Sequence, residues 1–195
     1  DAFIEVRDAL EAVTRRPGPQ EIWVAKGAYR PAPFGGSRFA SFALIDGVAF
    51  YGGFGGVNSL DYPGGESDLQ QRRPRKNVTI LTGDLAGDDI GGLDDPSRAD
   101  NSYHVITARS VGLAAVLDGF RISGGNATAT NYPTRGGGLD LYQASPTIRD
   151  CRVVGNQASY GGGMCIALNS YPELIHCRFL QNRATTGGGG LSLGN

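Results

Sequence analysis

The sequence predicts an all-β fold in which short strands stack along one axis as a β-helix. A glycine triplet followed by an apolar residue occurs three times, beginning at Gly136, Gly161 and Gly188. Several residue types recur 26 positions apart: Pro146 and Pro172, Cys151 and Cys177, Asn156 and Asn182, and Ala158 and Ala184. Self-similarity at such a period is typical of solenoid proteins.

Within a repeat, large apolar residues alternate with smaller or polar ones. The segments 139–142, 164–168 and 191–193 show this alternation. A period of two indicates short, half-buried strands rather than helices. Several strands in each repeat, with no helix between them, predict that every repeat buries its inner face against its neighbours.

Equivalent residues of stacked repeats should lie about 4.8 Å apart and form columns. Three columns are predicted to face the interior: Leu139, Met164 and Leu191; Phe120, Cys151 and Cys177; and Ile122, Val153 and Phe179. Gly119, Asp150 and His176 precede the second column, and all three residue types tolerate a left-handed backbone. We therefore expect a sharp bend there. Cys151 and Cys177 should be buried thiols; a disulfide between them is the alternative that their Cα spacing permits and their parallel Cβ vectors disfavour. Cys165 should face outward as the more reactive cysteine.

The first part of the chain shows the repeat less clearly. One domain is expected over 1–195, with a capping helix within 1–18 and coils of β-strand over 19–195. The helix is predicted from apolar residues on one helical face, and Pro17 should end it; these residues are Phe3, Val6, Leu10 and Val13. Strands are predicted at 21–25, 41–45, 48–51, 78–81, 103–107 and 114–117.

The opposite end of the predicted stack has no cap. A strand at 191–193 comes directly before Asn195, and a bare last coil would expose unpaired backbone groups. Terminal repeats of solenoids normally carry a polar cap. We expect that the chain belongs to a longer protein or that its last coil docks on another chain, including a second copy of itself.

The charge balance argues against a nucleic-acid partner, and the hydropathy argues against a transmembrane helix. The 18 Lys and Arg residues nearly balance the 19 Asp and Glu residues, which leaves a net charge of −1. This balance provides no general attraction to nucleic acid. No apolar run approaches the ~18–20 residues that a transmembrane helix needs.

Five motifs precede the glycine triplets in a fixed order: EIWVAKGAYRP, FYGGFGG, TILTGDLAGDD, NSYHVITA and LDGFRISGGNA. Together they resemble bacterial cell-surface right-handed parallel β-helix proteins of the pectin-lyase-like superfamily. The glycine-led strand followed by FLQN at 179–182 is similar to the repeats of chlamydial polymorphic outer-membrane adhesins, although Val153 replaces the Phe one repeat earlier. The resemblance implies a right-handed β-helix located outside the cell or on its surface.

The resemblance also indicates two kinds of function. Such proteins are generally exported and surface-attached, and most have no assigned chemistry. The leading interpretation is therefore a non-enzymatic structural or adhesive module that presents a repetitive surface to a glycan, a surface or another protein chain. The superfamily also contains polysaccharide hydrolases and lyases, so a lyase of acidic polysaccharide is the alternative. The sequence identifies no catalytic residue. The basic run 72–76 is predicted to be a solvated loop because acidic stretches flank it.

Two groups of charged residues are candidate sites. Arg121, Arg152 and Arg178 each follow an inward residue and should form an outward column of like charges, which destabilises a sheet unless something offsets it. Local carboxylates are the simpler explanation, and an anionic ligand or acidic glycan is the alternative. An acidic loop is the second group, with a calcium site or a solvated turn as its two interpretations; its residues are Asp84, Asp88 and Asp89. No cofactor other than calcium is expected.

Overall fold

The structure is a computed structural model that describes residues 3–15, 18–128 and 134–194. These residues form mostly β-strands, together with the helix α1 (Val6–Thr14) and two 3₁₀ helices, Leu69–Gln71 and Pro96–Ala99. In chain order the strands are β1 Gln20–Ala25, β2 Gly27–Tyr29, β3 Phe42–Leu44, β4 Val48–Phe54, β5 Thr79–Thr82, β6 Ile106–Arg109, β7 Val116–Asp118, β8 Phe120–Ser123, β9 Asn126–Ala127, β10 Leu139–Tyr142, β11 Thr147–Arg149, β12 Arg152–Val154, β13 Gln157–Ala158, β14 Met164–Ala167, β15 Glu173–Ile175, β16 Arg178–Leu180, β17 Arg183–Ala184 and β18 Leu191–Gly194.

The strands form four sheets, and the paired strands run parallel. Sheet A has the order β1-β4-β7-β11-β15, and sheet B has the order β2-β5-β8-β12-β16. Sheet C has the order β3-β6-β10-β14-β18, and the smaller sheet D has the order β9-β13-β17. The chain visits sheets A, B and C repeatedly in that order, and from β9 onward it crosses sheet D between B and C.

The predicted register of the repeats is confirmed. Met164 pairs with Leu139 on one side and with Leu191 on the other. Val153 likewise lies between Ile122 and Phe179. Because identical spacings in the sequence become neighbouring positions in a sheet, the apolar columns form one continuous core.

The predicted bend before sheet B is also confirmed. Gly119, Asp150 and His176 have positive φ angles of 84°, 49° and 53°. This conformation is costly for most L-residues and is tolerated best by Gly, Asn, Asp and His. The three residue types therefore share a backbone requirement rather than a side-chain role.

The cysteines agree with the predictions only in part. All three are free thiols; Cys151 is buried, and Cys177, which lies in the last repeat, is half-buried. The prediction that Cys165 is the reactive cysteine was wrong. Its side chain belongs to an outward column, yet it is 1% exposed, and burial raises the pKa of its thiol.

The helix α1 packs against β1 and β3, which are the first strands of sheets A and C. Its buried face consists of Val6, Ala9 and Leu10, which join the core. The helix is shorter than predicted, since Phe3 precedes it and is 45% exposed. The predicted stop at Pro17 lies outside the described residues. Within the described part of the chain, no helix is long and apolar enough to cross a membrane.

Two stacked asparagines, Asn156 and Asn182, form hydrogen bonds at the bend between sheets B and D. The Nδ2 of Asn156 donates to the Oδ1 of Asn182 at 3.1 Å and to the carbonyl of Ile122 at 3.0 Å. Its Oδ1 accepts the backbone N–H of Gly125 at 2.9 Å, and the residue is fully buried. The recurrence of Asn at a spacing of 26 therefore has a structural cause.

We expect the substitution Asn156→Ala to lower the free energy of unfolding by about 2–3 kcal/mol, because it leaves buried backbone groups without partners. Urea unfolding followed by far-ultraviolet circular dichroism measures the change. The matched control is Asn58→Ala at an exposed position, where we expect a change below about 0.5 kcal/mol. Equal midpoints for the two variants would contradict the structural role of the pair.

Candidate anion-binding groove

Arg121, Arg152 and Arg178 form a column on the outer face of sheet B. Arg152 pairs with Arg121 on one side and with Arg178 on the other, and all three residues are exposed. Successive strands of a sheet lie about 4.8 Å apart. The column therefore places three positive charges in a row along the stacking direction, as the sequence predicts.

The expectation that local carboxylates neutralise this column was wrong. Among the described residues, no Asp or Glu oxygen lies within 4.0 Å of a guanidinium nitrogen of these three arginines. Stacked like charges on neighbouring strands are destabilising by roughly 0.2–1 kcal/mol for each direct pair. Among the described residues, no ion pair within 4.0 Å offsets this cost at the column.

The basic run 72–76 lies along the same groove, which has a volume of 1390 Å³. Arg73, Arg75 and Lys76 are exposed, as expected of a solvated loop, whereas Arg72 and Pro74 are only partly exposed. The sequence did not predict the place of this run beside the column. The groove is lined by seven cationic side chains: Arg72, Arg73, Arg75, Lys76, Arg121, Arg152 and Arg178. Asp150 is the one carboxylate among the described residues that line it. The groove is thus strongly cationic in a protein of net charge −1.

Two of the loop cations are held by a carboxylate outside the lining. Lys76 Nζ lies 2.6 Å from Asp61 Oδ2, and Arg73 Nη1 lies 3.9 Å from the same oxygen. The hydrogen bond from Lys76 lowers the pKa of the Asp61 carboxyl. Arg75 has no carboxylate oxygen within 4.0 Å among the described residues, so its charge remains available to a ligand.

A buried carboxylate holds Arg72. The Nη1 of Arg72 lies 2.7 Å from Oδ1 of Asp118, and its Nη2 donates to Oδ2 at 2.7 Å. Arg149 approaches from the other side, with its Nε 2.5 Å from the same Oδ2. This hydrogen bond raises the pKa of the Arg149 guanidinium. Both guanidinium groups also lie over the ring of Tyr51.

The groove also contains one histidine. His176 Nδ1 lies 3.6 Å from Asp150 Oδ1, and both side chains are more than half exposed. Both residues belong to the left-handed bend before sheet B. The groove therefore combines many cations with a single exposed His–Asp pair, an arrangement suited mainly to binding anions.

The structure brings Asp84, Asp88 and Asp89 together, as the sequence suggested. One carboxylate oxygen from each lies within 4.8 Å of the others. Asp84 already accepts backbone N–H groups, among them that of Gly87 at 2.6 Å. Asp89 Oδ2 accepts hydrogen bonds from Arg98 and Asn101, while desolvation raises the pKa of its carboxyl.

These hydrogen bonds stabilise the acidic loop as a turn without requiring a bound ion. One oxygen from each carboxylate supplies three of the six to eight oxygens that Ca²⁺ prefers. The calcium interpretation stays a prediction, and the groove is the better supported candidate site.

No protein-family model, curated protein or solved structure matches this chain. The groove must therefore be interpreted from its own geometry and charge.

Proposed function

We propose that this chain is a right-handed parallel β-helix module of an extracellular or cell-surface protein. We propose further that it binds an acidic glycan along the cationic groove without altering it chemically. The cyclic order of sheets A, B and C and the in-register parallel pairing support the β-helix. The ordered motifs that resemble bacterial members of the pectin-lyase-like superfamily support the handedness and the location.

The unpaired arginine column is the observation that carries the binding proposal. Three exposed guanidinium groups with no carboxylate oxygen within 4.0 Å among the described residues cost stability in the free protein, and an anionic ligand would offset that cost. Guanidinium groups bind carboxylates and sulfates through charge-assisted, often bidentate hydrogen bonds. Arg75 supplies a further free cation from the basic run 72–76 on the same groove.

The shape of the groove favours an extended polymer over a small anion. The column spans three neighbouring strands, roughly 10 Å from first to last. A row of charges in that direction suits a chain that carries an anionic group at regular intervals. Among the described residues, Phe120 is the one Phe, Trp or Tyr in the lining, and it is 2% exposed. Single-stranded nucleic acids are usually held by exposed aromatic rings, so a glycan fits better.

Isothermal titration calorimetry with polygalacturonate tests the proposal, and its fully methyl-esterified form provides a control with the same backbone and no charge. We expect binding of the charged polymer alone, weakening as salt rises because exposed charges are screened over about 8–10 Å. Equal affinity for the two polymers, or no affinity for either, would contradict the proposal.

The alternative is a lyase of acidic polysaccharide. Such an enzyme would bind the same class of ligand and would also cleave it. The His176–Asp150 pair favours this alternative, because a lyase needs a base near the cations that neutralise the uronate carboxylate. The same mixtures can be followed for the ultraviolet absorbance of an unsaturated product. Product formation that is lost in His176→Gln would replace the non-enzymatic proposal with the lyase.

A further inference from the structure

We infer that Asp118 is a positioning residue for the groove: its buried carboxylate holds the loop 60–76 against sheet B. This inference rests on the proposed function for its binding consequence, while the loop contact can be tested without any ligand. The contact joins residues far apart in the sequence, since Arg72 and Asp118 are separated by 46 positions.

Asp118 occupies an unusual position for a charge. It ends β7 and lies in register between Tyr51 of β4 and Arg149 of β11, and it is 0% exposed. A buried carboxylate is strongly unfavourable unless cations and hydrogen bonds surround it. Arg72 and Arg149 supply those cations, and Arg72 is the one that belongs to the loop.

The loop itself has little apolar anchoring. No residue from 60 to 76 is buried. Polar contacts hold the loop in place of a core, and the ion pair of Arg72 with Asp118 is the one that reaches deepest. A backbone hydrogen bond from Arg73 to the carbonyl of Gly53 at 2.7 Å lies beside it. Loss of the carboxylate should therefore destabilise the position of the loop more than it destabilises the sheet.

The bend at Gly119 leaves room for this arrangement. A Cβ atom at Gly119 would lie 2.9 Å from Nη1 of Arg72 and 3.1 Å from Cγ of Pro74. The later repeats have Asp150 and His176 at the equivalent bend. The absence of a Cβ atom at Gly119 therefore lets Arg72 and Pro74 lie close to this bend.

The consequence for the groove concerns Arg75. Arg75 has no ion pair among the described residues, and its place on the groove depends on the loop that Arg72 anchors. The arginines of the column lie on sheet B and do not depend on that loop. The effects of substitutions at Asp118 and Arg75 on the free energy of ligand binding should therefore be non-additive. The effects of substitutions at Asp118 and Arg152 should be additive.

The chain offers a matched control in Asp140. This carboxylate is also buried and also paired with two arginines, Arg109 and Arg135. It lies on β10 of sheet C and does not line the groove. Asp140→Asn therefore removes a similar buried charge without touching the loop.

The first measurement is limited trypsin digestion of the full chain, with cleavage after Arg75 and Lys76 followed by mass spectrometry. We expect about tenfold faster cleavage at these sites in Asp118→Asn than in the parent, because local opening exposes the loop. Asp140→Asn should cleave there at the parent rate. Should Asp118→Asn fail to fold, Arg72→Gln removes the loop side of the pair and leaves Asp118 with Arg149. Cleavage at the parent rate in Arg72→Gln or in folded Asp118→Asn overturns the inference.

The second measurement is a double-mutant cycle with polygalacturonate as the ligand. In the parent, Arg75→Gln and Arg152→Gln should each weaken binding several-fold. In Asp118→Asn, or in Arg72→Gln in its place, Arg75→Gln should have almost no further effect, whereas Arg152→Gln should keep its full effect. Undiminished loss from Arg75→Gln in these backgrounds overturns the positioning role. Should the parent fail to bind the polymer, the proposed function fails, and the trypsin result alone decides whether Asp118 holds the loop.

Discussion

Replacing Arg121, Arg152 and Arg178 together with Gln is expected to weaken the binding of polygalacturonate by about 100-fold. Each exposed ion pair contributes up to about 1 kcal/mol, and roughly 3 kcal/mol corresponds to a factor of about 100 in the dissociation constant. The salt dependence of binding should also become flatter, because fewer counterions are exchanged when fewer charges meet. Titration calorimetry at several salt concentrations measures both effects.

The triple variant should retain or slightly exceed the thermal stability of the parent, since it removes repulsion between stacked like charges. Its control replaces three arginines outside the groove, Arg7, Arg15 and Arg183, and so changes the net charge by the same amount. We expect the control to bind nearly as well as the parent. Equal weakening in both variants would show that binding follows net charge rather than the groove.

The second large effect is expected at Gly125, between β8 and β9. A Cβ atom there would lie 1.8 Å from the carbonyl oxygen of Gly137 and 2.4 Å from its carbonyl carbon. Both atoms belong to the backbone, which cannot move aside without breaking the stack. Gly125→Ala should therefore lower the free energy of unfolding by more than about 4 kcal/mol, a loss confined to severe steric or core defects.

Two glycine controls separate steric exclusion from backbone strain. Gly92 has a backbone open to any residue, and a Cβ atom there would have no neighbouring atom within 4 Å, so Gly92→Ala should be nearly neutral. Gly155 has a φ of 66° and also has open space around it, so Gly155→Ala should cost about 1–2 kcal/mol. Urea unfolding ranks the three variants. A midpoint for Gly125→Ala close to that of Gly92→Ala would contradict the close approach of the repeats.

The columns of the later repeats could be predicted because a stacked fold converts sequence period directly into contacts. Leu139, Met164 and Leu191 become neighbours once the chain returns to the same sheet. The left-handed bend at Gly119, Asp150 and His176 was predictable for a related reason, since backbone conformation restricts residue type locally. Both inferences depend only on aligning one repeat with the repeats next to it.

Other features depended on segments that do not repeat. Cys165 alternates with inward residues and was expected to be reactive, but it is buried on the outer side of its sheet. Period alone assigns a side of the strand and does not show whether another segment covers that side. The basic run 72–76 was predicted to be a solvated loop because of the charges that flank it. Those charges do not reveal the surface on which the loop lies.

By itself, the sequence determined the parallel stacking register, the left-handed bends and the outward row of Arg121, Arg152 and Arg178. The tertiary structure alone decided that, among the described residues, this row has no carboxylate oxygen within 4.0 Å. It further decided that the basic run lies along the same groove. It also decided that Asp118 holds Arg72. The physical reason is that repeats meet at a constant separation that the sequence displays, whereas a non-repeating loop meets whichever distant carboxylate the completed stack presents.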